Sequence, residues 1–245
     1  GITVKTAMFA DINGISMGQR DAMLANGVEF LYTNIHTHHG MYPLYQNQKP
    51  YFWENEDGKR LLVWSGEHYN LGNALGIVFN KNVNFMTENY FGKAQGDVAG
   101  PLEKLYSNLT ASMEEYEENG YPYDFYITSV SGVFSDNAPI NPAIADTVAL
   151  FNENYGEEVT KRMVNLTELY DLIRDKVADA PVYRGAINDW WGNGVGSTPY
   201  AVKHYKEAVR LNRICDRLEE KTGVHNAELV HAYGDNSLLY ADNTW

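Results

Sequence analysis

The sequence predicts an α/β protein built on a parallel sheet, and two features of the chain support this prediction. Short apolar stretches typical of strands alternate with longer amphipathic stretches typical of helices. No linker-like or low-complexity segment interrupts the 245 residues, which favours one large domain. Parallel sheets bind their ligands at the carboxyl ends of the strands. Functional residues are therefore expected in the loops that follow strands.

Strand signals occur in three parts of the chain. The first part holds predicted strands over Thr3 to Phe9, Val28 to Tyr32 and Arg60 to Trp64, the last entered by a tight turn at Asp57-Gly58. A further strand is predicted over Asp124 to Val130. Another begins at Tyr183 and leads into a glycine-rich loop.

Helix signals lie between and after these strands. An apolar stripe predicts a helix over Asp97 to Asn119, which Gly120 ends. Three more helices are predicted from their first residues: Asn141-Pro142 to Phe151, the capping-box pair Asn165 and Glu168 to Val177, and Thr198-Pro199 to Lys221.

Composition limits the classes of partner. The formal net charge of -13 argues against nucleic acid and against an anionic membrane, and it suits a neutral or cationic substrate. The single Cys215 excludes an intramolecular disulfide framework and a cysteine-rich zinc site, and its helical position predicts a buried structural thiol. No apolar run is long enough to span a bilayer, and the lack of a secretory signal favours the cytoplasm. The oligomeric state stays open.

An unusual pair of adjacent tryptophans lies in the loop after Tyr183. Asp189, Trp190 and Trp191 are followed there by three glycines within five residues. Exposed indoles are costly unless a flat partner stacks on them, and sugar rings are such a partner. The alternative is that both tryptophans fold back into the core. The 18 tyrosines also suit a polar, ring-shaped ligand.

Loops after the first two strands carry the residues best suited to catalysis or metal binding. Asp11 follows the first strand, and it suits a nucleophile, a metal ligand or a helix cap. His36, His38 and His39 follow the second strand. These histidines suit either metal binding or a loop that only donates and accepts hydrogen bonds.

Loops after two later strands add further carboxylates. Glu67 and His68 follow the Arg60 strand, and they suit either the hydroxyls of a ligand or the backbone of their own loop. Asp136 lies shortly after the Asp124 strand, as an acid/base or as a turn carboxylate. Asp11 and Asp136 form the most plausible carboxylate pair, which is what glycoside hydrolysis requires.

The order of several short motifs resembles glycoside hydrolase family 38, the α-mannosidases, and more closely a group of bacterial relatives of that family. The resemblance covers nearly the whole chain. The motifs that carry it include Asp11-Ile12-Asn13-Gly14, Pro50-Tyr51-Phe52-Trp53-Glu54, Gly66-Glu67-His68-Tyr69, Phe134-Ser135-Asp136-Asn137-Ala138-Pro139, Asp189-Trp190-Trp191 and Ala241-Asp242-Asn243-Thr244-Trp245.

The resemblance implies a seven-stranded (β/α) barrel-like domain of the glycoside hydrolase and deacetylase type. Residues 1–197 would form this barrel without its first strand, and residues 198–245 would form C-terminal helices that pack on it. The implied reaction is retaining hydrolysis of α-linked mannosides or similar sugars. Asp11 would be both nucleophile and zinc ligand, and Asp136 the general acid and then the general base.

Two alternative functions remain at this stage. One is a sugar-binding protein that keeps the fold and the Trp190-Trp191 pair without catalysis, because Asn243 stands where close relatives carry a histidine expected near the metal. The other is a metal-dependent polysaccharide deacetylase, for which the histidines from His36 to His39 would supply ligands. For the hydrolase, His36, His39, Glu67, His68, Asp189, Trp190 and Trp191 are expected to contact the carbohydrate.

Overall fold

A computed structural model describes residues 3–10, 14–34, 43–45, 47–67, 69, 71–77, 101–130, 142–187 and 198–240. These residues form a mixed sheet of five strands, with helices on its two faces and at the end of the chain. The strands are β1 (Thr6–Ala10), β2 (Phe30–Asn34), β3 (Lys49–Glu54), β4 (Arg60–Gly66) and β5 (Val182–Tyr183). The helices are α1 (Met17–Ala25), α2 (Leu71–Leu75), α3 (Pro101–Glu118), α4 (Ala143–Tyr155), α5 (Leu166–Ile173), α6 (Pro199–Thr222) and α7 (Ala227–Tyr240), with a 3-10 turn at Pro43–Tyr45.

The sheet is mixed, and the prediction of a parallel sheet is correct only for β1, β2 and β4. The strand order is β1-β2-β4-β3-β5. β3 pairs antiparallel with β4, and β5 pairs parallel with β3. The turn at Asp57-Gly58 is confirmed as the hairpin between β3 and β4, and Gly58 has a φ of 77° there. The seven-stranded barrel stays a prediction.

Side chains of alternating strand residues form a separate apolar core on each face of the sheet, because successive side chains of a strand point to opposite faces. One core contains Leu31, Val63 and Trp53 and packs against α1. The other contains Phe30 and Trp64 and packs against α5 and the segment from Tyr121 to Ile127 that follows α3. Trp53 and Trp64 are both fully buried, so each face is anchored by one indole.

Residues Asp124–Val130 do not form a strand, which corrects the sequence prediction. Tyr123 and Phe125 lie against the Trp64 ring, with centroids 5.8 and 5.5 Å away. Ile127 joins the same core. The apolar residues of this segment are therefore buried by packing on the face of the sheet and not by pairing at its edge.

Local capping signals gave the most accurate helix predictions. Asn165 caps α5 through its side chain, and Glu168 completes the capping box, as predicted. α3 covers Pro101–Glu118 and ends before Gly120, whose φ is 77°. The predicted caps Asp97 and Asn141 lie outside the described residues.

The last two described helices form a hairpin. α6 begins at Pro199 as predicted and ends at Gly223, which has a φ of 69°. Tyr205 on α6 lies beside Tyr240 on α7, with ring centroids 4.8 Å apart. Cys215 is exposed on α6, so the prediction of a buried structural thiol is wrong. It failed because α6 contains no buried residue.

Candidate functional site

The carboxyl ends of the three parallel strands lie side by side. Ala10 pairs in register with Asn34, and Asn34 pairs with Gly66, so the last residues of β1, β2 and β4 form one row. Each is followed by a segment that holds predicted site residues. This carboxyl edge, defined by Ala10, Asn34 and Gly66, is where a ligand of such a sheet is expected to bind.

Most of the predicted site residues lie in segments outside the described residues. These are Asp11, His36, His38, His39, His68, Asp136, Asp189, Trp190 and Trp191. Chain connectivity still relates three of the segments to the carboxyl edge. Asp11 follows Ala10 directly, His36 comes two residues after Asn34, and His68 comes two residues after Gly66.

A fourth segment is tied to the first by a β-bridge. Ile15 and Ile187 exchange two main-chain hydrogen bonds of 2.8 and 3.0 Å in antiparallel orientation. The bridge therefore brings the chain that leads to Asp189 beside the chain that follows Asp11. The strand predicted to begin at Tyr183 in fact ends there, and among the described residues that follow it Ile187 pairs again.

Glu67 is the predicted site residue that the structure describes, and its carboxylate is held by two side chains. The carboxylate oxygen Oε1 accepts hydrogen bonds from the Asn47 side-chain amide and the Tyr116 hydroxyl. The main-chain carbonyl of Glu67 accepts a third from the Asn34 amide. The other carboxylate oxygen has no hydrogen-bond partner among the described residues. Glu67 thus offers a positioned acceptor at the carboxyl edge.

Two tyrosines lie near this carboxylate, Tyr32 buried and Tyr126 half-buried. The Tyr126 hydroxyl lies 2.9 Å from the Ser112 hydroxyl, and Tyr32 accepts a 3.4 Å hydrogen bond from Asn34. Burial raises the pKa of both tyrosine hydroxyls. They therefore remain protonated in neutral solution and act as neutral hydrogen-bonding groups.

The backbone at Gly66 leaves no room for a side chain. A Cβ at this position would lie 2.7 Å from the Tyr32 hydroxyl oxygen and 2.9 Å from the Asn34 amide nitrogen. Glycine therefore allows β2 and β4 to place Tyr32 and Asn34 against the end of β4.

Several buried polar atoms at this edge lack hydrogen-bond partners among the described residues. They are Thr33 Oγ1, Asn34 Oδ1 and Ser65 Oγ. Thr33 and Asn34 are the last two residues of β2, and Ser65 is the last but one of β4. Buried polar groups are nearly always paired, so an unpaired set indicates a functional or solvent-linked location. The set coincides with the row that the strand ends form.

A charged cluster lies at the opposite edge of the sheet, and the sequence analysis did not identify it. Glu54 at the end of β3 accepts hydrogen bonds from Arg60 and Arg184. The hydrogen bond from Arg60 and then that from Arg184 hold the pKa of the Glu54 carboxyl below its usual range. Arg20 is buried and donates to the Glu54 carbonyl over 2.8 Å. The cluster links α1, β3, β4 and the chain after β5 through hydrogen bonds, so we interpret it as a group that stabilises the fold.

The described residues contain no group of three or more histidine, cysteine, aspartate or glutamate side chains that would hold a metal ion. The predicted zinc ligand Asp11 and the three histidines lie in segments that the structure does not describe. Zinc thus remains a prediction from the sequence. None of the described helices is long and apolar enough to cross a membrane.

Comparison with solved structures finds distant likenesses to glycoside hydrolases. The chain is similar to an α-mannosidase from Enterococcus faecalis V583, with 15% identity and a TM-score of 0.51 over 76% of this chain and 18% of that protein. It is also similar to the α-amylase AmyC from Thermotoga maritima, with 13% identity and a TM-score of 0.40 over 89% of this chain and 48% of that protein. The chain therefore spans less than half the length of either protein.

These likenesses concern the fold alone. No family model matches the chain, and no curated protein matches it. The described residues thus have a mixed α/β fold that is distantly similar to a glycoside hydrolase. Membership of family 38 stays a hypothesis based on the sequence motifs.

Proposed function

We propose that this chain is a carbohydrate-active domain that hydrolyses α-mannosides or related sugars at the carboxyl edge. The observation that carries the proposal is the row formed by Ala10, Asn34 and Gly66. Three segments with carboxylates and histidines begin from this row. The distant glycoside hydrolase-like fold supports a carbohydrate as the ligand.

The proposed reaction is retaining and uses two carboxylates. Asp11 is the ionised nucleophile that attacks the anomeric carbon, and Asp136 first protonates the departing oxygen and then deprotonates the incoming water. The two carboxyls need different surroundings, because one must stay ionised while the other holds its proton. Asp11 follows β1 directly, which fixes one end of its segment to the rigid sheet.

Asp11 and the histidines His36, His38 and His39 carry the oxygen and nitrogen donors that zinc prefers. A zinc ion held by Asp11 would supply a positive charge that attracts sugar hydroxyls and favours the ionised state of the nucleophile.

Sugar hydroxyls are the proposed partners of Glu67 and its neighbours. The carboxylate oxygen of Glu67 that has no partner among the described residues is an acceptor, and hydroxyl groups are donors that match it. His36, His39, His68 and Asp189 add polar contacts, while Trp190 and Trp191 stack on the sugar ring.

Hydrolysis of an aryl α-mannoside tests this proposal. The protein should release the phenol, and a chelator should abolish this release. Asp11→Asn should lower the rate of release by several orders of magnitude without unfolding the protein. Asp146→Asn is the matched control, because Asp146 is exposed on α4. Equal turnover by the Asp11→Asn protein would contradict the assignment of the nucleophile.

A sugar-binding protein without catalysis is the second candidate function. It is favoured by the neutral character of the groups around Glu67, which are the amides of Asn34 and Asn47 and the hydroxyl of Tyr116. Such groups bind sugar hydroxyls without moving protons. Binding of methyl α-mannoside by a protein that hydrolyses no aryl glycoside would support this candidate.

A further inference from the structure

Helix α6 carries a row of basic side chains that is unusual in so acidic a chain. Lys203, Lys206, Arg210, Arg213 and Arg217 recur at spacings of three and four residues, which places them on one helical face. The row is about 21 Å long at a rise of about 1.5 Å per residue. We call these five residues the basic stripe.

The basic stripe is exposed and has no acidic partner in the described structure. All five side chains belong to exposed residues. None of them forms an ion pair with a described carboxylate, whereas His204 on α6, His231 on α7 and His225 between the two helices each lie against one. Five like charges repel one another along a helix, so the stripe is destabilising unless it meets negative charge.

An apolar row lies next to the basic stripe. Leu211, Ile214 and Leu218 are 54%, 43% and 53% exposed. Their spacing of three and four residues places them together on the face of α6 that adjoins the stripe. Interfaces between proteins combine such an apolar centre with a charged rim, and arginine is enriched in them.

The complementary charge is present elsewhere on the same chain. α6 contains six lysines and arginines and four acidic residues, so its net charge is +2. Because the whole chain has a net charge of -13, the rest of the chain has a net charge of -15. Four glutamates, Glu114, Glu115, Glu117 and Glu118, lie within the last five residues of α3 and are exposed. None of these four forms an ion pair with a described residue. These glutamates lie at the carboxyl end of α3, where the helix dipole is also negative, so the two repel each other. A cationic partner would offset this repulsion.

We propose that α6 is a self-association surface, on which the basic stripe of one copy meets the glutamates at the end of α3 in a second copy. This inference is independent of the proposed function. In a two-fold arrangement each copy supplies one stripe and one glutamate cluster, so the contact forms twice. The exposed leucines and isoleucine beside the stripe add buried apolar area, which isolated surface ion pairs do not provide.

A second copy suits the charges better than other anionic partners. Nucleic acid and anionic membranes would attract the stripe but repel the remaining surface, which carries a charge of -15 by the count above. The glutamates at the end of α3 in another copy would attract the basic stripe. The same long-range repulsion between acidic surfaces predicts that association is weak until the stripe and the glutamates face each other.

Sedimentation equilibrium of the wild-type protein tests the proposal first. The expected mass is twice the 27.7 kDa of the chain at low ionic strength. It should fall toward the monomer at about 1 M salt, where the Debye length is about 3 Å. A monomer at every concentration and salt, or binding to phosphatidylglycerol vesicles without self-association, would overturn the proposal.

Charge reversal then identifies the surfaces. Lys206→Glu/Arg213→Glu and Glu114→Lys/Glu118→Lys should each weaken association at least about tenfold, because each places like charges opposite one another. Lys59→Glu/Arg162→Glu is the control, because it changes the net charge by the same amount as Lys206→Glu/Arg213→Glu. Lys59 and Arg162 are exposed and form no ion pair with a described residue, so this variant should still associate. Circular dichroism confirms that each variant is folded.

Mixing the two reversed variants is the decisive step. In the mixed dimer the acidic α6 of one protein faces the basic α3 end of the other, and the second contact keeps its wild-type charges. A mixed dimer should therefore form where neither variant associates alone. Failure of the mixture to associate, or dimers of either variant as stable as the wild type, would overturn the assignment of these surfaces.

Discussion

The Asn34 side-chain amide donates a hydrogen bond to the main-chain carbonyl of Glu67, and this contact joins the ends of β2 and β4. Asn34 is the last residue of β2, and Glu67 is the first residue after β4. With its carboxylate also held by Asn47 and Tyr116, Glu67 is oriented before a ligand arrives. Such preorganisation lowers the entropic cost of binding.

Gly66→Ala should destabilise the protein by about 1–3 kcal/mol, the usual cost of overpacking. The new methyl group would lie 2.7 Å from the Tyr32 hydroxyl oxygen, so Tyr32 and Asn34 must move. Urea unfolding measures the loss. Gly234→Ala is the control, since a Cβ there meets no atom within 4 Å and alanine favours the helix. Equal stability of the Gly66→Ala and wild-type proteins would contradict the tight packing at this strand end.

Glu67→Gln should weaken the binding of methyl α-mannoside by about tenfold or more, because hydrogen bonds to charged groups contribute about 1.5–3 kcal/mol. Tyr116→Phe should have a smaller effect, since it removes one of the groups that orient Glu67. Isothermal titration calorimetry measures both affinities. Glu153→Gln, an exposed change on α4, should bind as the wild type does. Unchanged affinity of the Glu67→Gln protein would remove Glu67 from the site.

Acid should weaken the contribution of Glu54 to stability. Hydrogen bonds from Arg60 and Arg184 lower the pKa of this carboxyl in the folded protein. Its stabilisation is therefore complete above the unfolded pKa, about 4.3 for a glutamate, and is lost as the pH falls through the lower folded pKa. Unfolding of the wild-type and Glu54→Gln proteins across this range should show a difference that shrinks with falling pH. The exposed Glu56→Gln variant is the control, and a constant difference would contradict the account.

Lys161 should make stability rise with pH in the alkaline range, as Glu54 does in the acid range. Burial lowers the pKa of its ammonium group from 10.5 to about 8, and the group lies 4.8 Å from the centroid of the Phe151 ring. Between these two pKa values the unfolded chain binds the proton that the folded chain has released, so the free energy of unfolding contributed by Lys161 rises with pH.

Lys161→Met should remove this rise and stabilise the protein at neutral pH, because it removes the cost of burying a charge. Urea unfolding at several alkaline pH values measures the slope, and Lys59→Met at an exposed site is the control. A slope that persists in the Lys161→Met protein would assign the effect to another group.

Features that depend on neighbouring residues could be predicted from the sequence. The Asn165 and Glu168 capping box, the Asp57-Gly58 turn and the start of α6 at Pro199 all depend on residues within one turn of the chain. The three strands that end at the carboxyl edge were also predicted from their short apolar runs, although each predicted end lies one or two residues too early.

Features that depend on distant parts of the chain could not be predicted. β3 contains Lys49 and Pro50 and becomes a strand by pairing with β4, whereas the apolar stretch within Asp124–Val130 packs on the face of the sheet. Tyr116 reaches Glu67 from a helix 49 residues later in the chain, so no local pattern indicated the contact. The Glu54 cluster likewise joins residues from four parts of the chain.

Covalent trapping is the most direct test of the proposed glycosidase. A fluorinated α-mannosyl fluoride slows the second step of a retaining reaction, so the sugar should accumulate on the nucleophile. Digestion and mass spectrometry should then locate one mannosyl adduct on the Asp11 carboxylate, and the Asp11→Asn protein should carry none. Turnover without an adduct, or an adduct on another carboxylate, would contradict the account.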